Sequence, residues 1–177
     1  QNVEAGTVLG EVGLSGKTEF PHLHLSVRRN GNVVDPFDLS AFPNCGEQGA
    51  DLWQDAPDYQ AGGLLGVGFN AAVPQYADVK AGTADQSPLP ADAPALVFWL
   101  HAFGGQKDDV VTLFVDGPNG RLVEHRATLP KDQAEFFRAA GKRLKTPAWP
   151  SGDYIGTAIL TRSDVEISRS VQQMHIP

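Results

Sequence analysis

The sequence predicts an all-β protein, and three observations carry that prediction. Gly 19 and Pro 13 among 177 residues punctuate the chain too often for long helices. Short apolar runs rich in Val, Leu, Ile and Phe recur along most of it. Turn signals separate these runs, among them Asn30-Gly31 and Gly117-Pro118-Asn119-Gly120.

The elements follow in order. Residues 2–13, NVEAGTVLGEVG, mix small and apolar residues with glycines and read as short strands with tight turns. HLHLSVRR at 22–29 alternates as a strand does, and Asn30-Gly31 joins it to a second run that Asp35-Pro36 ends. Residues 43–63 form a loop-rich connector. Beyond it, 64–69, 95–103, 109–117, 121–129, 153–162 and 170–176 are strand candidates. DQAEFFRAAGKR at 132–143 fits either a short helix or a strand. Six or seven short strands in roughly 115 residues fit a sandwich of immunoglobulin type. Tyr154, after Trp149-Pro150-Ser151-Gly152, is a candidate for its tyrosine corner. Hence the expected division: a partial antiparallel sheet over 1–45, a connector over 46–60 and a β-sandwich over 61–177.

Composition narrows the function. Hydrophobic residues at 41% and charged residues at 20% are ordinary for a globular chain. The formal charge of −7 argues against nucleic acid, which needs a basic face. No apolar run approaches the ~20 residues of a membrane span, so no transmembrane segment is expected. The chain opens on Gln1 without a Met, which predicts processing or an absent upstream segment. A single cysteine, Cys45, cannot form a disulfide within this chain. It is either a free thiol or half of a bridge to a cysteine elsewhere.

His22-Leu23-His24 is the chemical signal. In a strand, residues i and i+2 share a face, so both imidazoles would address one small volume while Leu23 and Leu25 face a core. That geometry suits a zinc ligand beside a second ligand or a general base. A solvated face or a chance pair would leave the same trace. Gly16-Lys17-Thr18 does not make a phosphate loop: Glu11 stands where a Gly is required, and a strand follows where a helix is required.

The pair lies in an ordered context: Gly6, Gly10, Gly13 and Gly16 before it, Pro21 immediately ahead, then Asn30-Gly31 and Val34-Asp35-Pro36. Residues 2–38 thereby resemble the C-terminal half of the lysostaphin-like (LytM-type) zinc endopeptidases, which cut peptides of bacterial peptidoglycan. The resemblance implies a zinc ligand at His24. It implies a catalytic histidine at His22, placed to move a proton or to stabilise an oxyanion near a metal-bound water. It also implies a peptidoglycan peptide as substrate and a periplasmic or extracellular location in the cell envelope. Such a space is oxidising, which favours a bridged Cys45.

The family's other ligands, a His and an Asp spaced His-x-x-x-Asp, are expected upstream of this chain or on a second chain. His101 is followed four residues on by Gly105 and His125 by Leu129, and His175 is near the terminus, so none makes that motif. The expectation is therefore an incomplete Zn²⁺ site and a chain inactive alone. Two other readings stay open: a non-catalytic relative that binds or regulates cell-wall machinery, and a structural or binding sandwich. In the C-terminal region Asp108-Asp109 reads as a solvated turn, with a calcium site as the alternative. Phe98, Trp99, Phe114, Phe136, Phe137 and Trp149 read as core, with a glycan platform as the alternative.

Overall fold

The computed structural model describes residues 2–13, 15–18, 22–39 and 51–177. The chain is all-β with antiparallel sheets, and among the described residues there is one short helix. It divides into two compact units, Gln1–Tyr59 and Gln60–Pro177.

Among the described residues of the first unit, the strands are β1 (Val27–Arg29) and β2 (Asn32–Val34), paired antiparallel with Val27 opposite Val34. Their turn closes because Asn30 and Gly31 both take left-handed backbone angles, φ 52° and 84°, as a two-residue hairpin turn requires. Two expectations are corrected here. Residues 2–13 are not strands, and the strand expected over 22–29 begins only at Val27. A strand persists where a second segment takes up its N–H and C=O groups, and among the described residues of this unit only the local hairpin supplies one. The apolar side chains of these segments are accordingly exposed: Val8 at 86%, Leu9 at 81% and Leu23 at 83%.

The second unit is a sandwich of seven strands: β3 (Gly63–Asn70), β4 (Ala95–Gly105), β5 (Val110–Gly117), β6 (Gly120–Thr128), β7 (Gln133–Arg143), β8 (Gly152–Arg162) and β9 (Val165–Ile176). One sheet has the order β3-β4-β7 and the other β6-β5-β8-β9. This is the three-against-four division of the immunoglobulin type. The ambiguous segment 132–143 is a strand: Phe136 points into the core and Phe137 outward, the two-residue alternation that a helix would not produce. β9 runs five residues earlier than its expected start, because Val165–Arg169 continue the pairing with β8.

Phe98 and Leu100 of β4, Leu113 and Val115 of β5, and Ala158 and Leu160 of β8 are fully buried between the sheets. Each such aliphatic or aromatic side chain contributes about 1.5–3 kcal/mol of burial. β4 is buried on its other face as well, where Trp99 packs against Val79 and Ala84. Val79 belongs to α1 (Tyr76–Ala81), which ends on Gly82 in the left-handed conformation, φ 73°. The helix explains why residues 95–103 read as a continuous apolar run rather than an alternating one. Tyr154 is 2% exposed, and its hydroxyl donates to the Pro150 carbonyl at 2.8 Å. That bond forms the tyrosine corner at the entry to β8.

Candidate functional site

His22 and His24 both lie exposed on the extended segment that leads into β1. The Nδ1 of His22 is 3.0 Å from the Thr18 hydroxyl, and nearby Gly16 takes a left-handed φ of 78°. Downstream, Arg28 donates to the Gly31 carbonyl across the hairpin at 3.2 Å. Asp35 accepts the Phe37 N–H at 2.8 Å, which turns the chain after β2. The Phe37 ring then meets Trp53, with centroids 5.1 Å apart, and the Pro36 carbonyl accepts the Leu52 N–H at 2.9 Å. The expected His-x-His segment and its hairpin thus stand next to each other, with both imidazoles in solvent. The regular strand expected beneath the two histidines is absent.

Imidazoles have the right donor chemistry for zinc, but even an open catalytic site needs three protein ligands. No group of three or more His, Cys, Asp or Glu side chains able to hold a metal gathers among the described residues. The described residues therefore do not fit a complete zinc site. Cys45 lies outside them.

The remaining histidines stand on separate strands of the sandwich. His101 on β4 is 6% exposed, its Nε2 is 2.7 Å from Glu135 on β7, and the Tyr76 ring meets it edge-on. His125 on β6 is exposed, and His175 on β9 pairs with Asp153 at 2.7 Å. His101 is held by a carboxylate 34 positions away that no local pattern reveals.

Asp108 lies in an exposed turn, as expected, but Asp109 is not solvated: it is buried at the entry to β5. Asp108 has φ 70°, and Asp109, 1% exposed, accepts both Nε and Nη2 of Arg162, at 2.9 and 2.8 Å, together with the Gln106 N–H at 2.8 Å. Burial would raise the Asp109 carboxyl, but the Arg162 guanidinium and the Gln106 N–H outweigh it and hold its pKa below the usual carboxylate range. Both carboxylate oxygens are committed to this network, which leaves Asp109 unsuited to calcium. Of the six aromatics expected in the core, Phe98, Trp99, Phe136 and Trp149 are buried. Phe114 instead faces outward, under the Arg121 guanidinium at 4.2 Å, whereas Phe137 is half-buried in the smaller cluster on the outer face of β4, with Trp99, and stacks on Tyr76 at 5.2 Å.

No family model matches the chain, and no curated protein does. Among solved structures, the chain is similar to a proposed β-galactosidase from Bacteroides fragilis, at 14% identity and a TM-score of 0.43. The match covers 64% of this chain and 17% of that one. No helix among the described residues is long and apolar enough to cross a membrane.

Proposed function

We propose that the N-terminal unit is the His-x-His portion of a LytM-type endopeptidase domain, and that the protein it serves cleaves peptide bonds of peptidoglycan with zinc. The observation that carries this reading is the ordered series of glycines, His22-Leu23-His24, the Asn30-Gly31 hairpin and Asp35-Pro36. The exposure of both imidazoles supports it, since a ligand and a proton-handling group must be reachable by metal and substrate. In this reading His24 ligates the metal and His22 serves proton transfer or the oxyanion. The His and Asp of a His-x-x-x-Asp segment complete the site, from a preceding stretch of chain or from a second chain. This chain alone is expected to be inactive. The cell envelope follows as the location, and the sandwich is an appended module.

The test is digestion of purified sacculi by the chain together with a segment that carries His-x-x-x-Asp. The proposal expects zinc-dependent release of soluble peptide, absent without the segment and lost in both His22→Ala and His24→Ala. Binding to sacculi with no release under any of these conditions would favour the non-catalytic relative. Release or binding indifferent to both substitutions would remove the His-x-His pair from the function.

A further inference from the structure

Three strands facing four leave β7 and β6 as the edges on one side of the sandwich: among the described residues β7 pairs only with β4, and β6 only with β5. A cleft of about 430 Å³ opens between these edges. Its floor is apolar. Trp149 and Tyr154 are buried there, and their polar atoms are already used, on the Ala93 carbonyl at 2.9 Å and the Pro150 carbonyl at 2.8 Å. Its rim is cationic, with Arg121 from β6, Lys142 and Arg143 at the end of β7, and Lys145 just beyond, and no carboxylate lines it. That segregation stands out in a chain of net charge −7. Asp116 and Glu124 answer Arg121, whereas Lys142, Arg143 and Lys145 make no ion pair among the described residues. A second hollow, of about 600 Å³ and lined in part by Val97 and Ala139, shares Lys142 and Arg143 with the cleft.

We propose that the free edge at the end of β7, Gly141–Arg143, with Lys145 just beyond it, takes up a short acidic peptide as an added strand; the Leu144 N–H between them is given to the Pro94 carbonyl on the opposite side. Such a strand would satisfy the open N–H and C=O groups of the edge. Its side chains would alternate between the cleft and the second hollow, and its carboxylates would meet Lys142, Arg143 and Lys145. Net charge selects the class of ligand. A long polyanion such as nucleic acid extends past the cationic rim and meets the repulsion of an acidic protein, while a short acidic segment meets the rim alone. The inference concerns the sandwich and does not depend on the His-x-His reading.

The experiment uses the whole chain and a fluorescein-labelled peptide of ten residues in which pairs of Glu alternate with pairs of Val, so that carboxylates stand on both faces of the added strand. Fluorescence anisotropy should show saturable one-to-one binding that weakens about tenfold or more in the double variant Lys142→Glu, Arg143→Glu. Lys131→Glu should bind as the unaltered chain does. Backbone amide shifts on titration should concentrate at Gly141–Lys145. Absence of saturable binding would overturn the proposal, and would leave these cations as guards against edge pairing. Binding that survives the double charge reversal, shifts centred elsewhere, or equal binding of a single-stranded DNA of the same length would overturn it as well.

Discussion

Asp109→Ala should be among the most damaging polar substitutions in the sandwich. The side chain sits at the entry to β5, accepts three hydrogen bonds and is 1% exposed. Its partner Arg162 also donates to the Gly104 carbonyl at 2.7 Å, so the guanidinium ties the end of β4 to the end of β8. Removing one member of a buried pair costs about 3–5 kcal/mol, chiefly by stranding the other charge. The Arg162 side chain keeps 19% exposure, so water offsets part of the loss. The lower end, about 3 kcal/mol, is expected. For a domain of this size that corresponds to a fall of roughly 12 °C in Tm.

The pH dependence follows from the depressed pKa of Asp109. A carboxylate with a lowered folded-state pKa contributes stability above its unfolded value near 3.9, and loses it as pH falls through the folded value. The unaltered chain should therefore lose stability in acid more steeply than Asp109→Ala. The assay is urea unfolding followed by far-ultraviolet circular dichroism at pH 7 and at several acid pH values. The double variant Asp109→Leu, Arg162→Met should cost less than the sum of the single substitutions, because no charge is stranded. A single-variant loss below about 1 kcal/mol, or strict additivity in the double variant, would refute the reasoning.

Tyr154→Phe should cost roughly 1–2 kcal/mol in the same unfolding assay, because the Pro150 carbonyl loses its donor. Burial raises the Tyr154 phenol, so the unaltered chain should lose stability as pH rises above about 10 and the Phe variant should lose less. Gly68→Ala should cost about 1–3 kcal/mol of stability, since a Cβ there would stand 2.5 Å from Cζ2 of Trp99, whose ring is held against Val79 and Ala84.

Most strands of the sandwich are legible because they carry their own period or turn. Gly117–Gly120 fixes one hairpin, and Tyr154 marks its corner from sequence position alone. Residues 132–143 were ambiguous because Phe136-Phe137 beside alanines suits a helical face as well as a strand, and only the ladder with β4 decides. The helix at Tyr76–Ala81 leaves little trace in the sequence: Gly82 is a stop signal, but Gln75 at the N-cap makes no side-chain cap, and six residues are too few to show a period. Partners distant in sequence, Glu135 for His101 and Arg162 for Asp109, leave no local trace. The strand expected beneath His22 and His24 starts only at Val27, because a strand needs a pairing segment and the described residues supply none for 22–26.

Zinc coordination tests the central claim most directly. The chain should be titrated with zinc alone and after addition of a segment bearing His-x-x-x-Asp, with X-ray absorption to count nitrogen and oxygen ligands. Zinc should bind weakly to the chain alone and become tight, stoichiometric and tetrahedral with the segment. His24→Ala should abolish the tight binding and His22→Ala should retain most of it. A tight tetrahedral zinc on the chain alone, or zinc lost with His22 and kept without His24, would contradict the account.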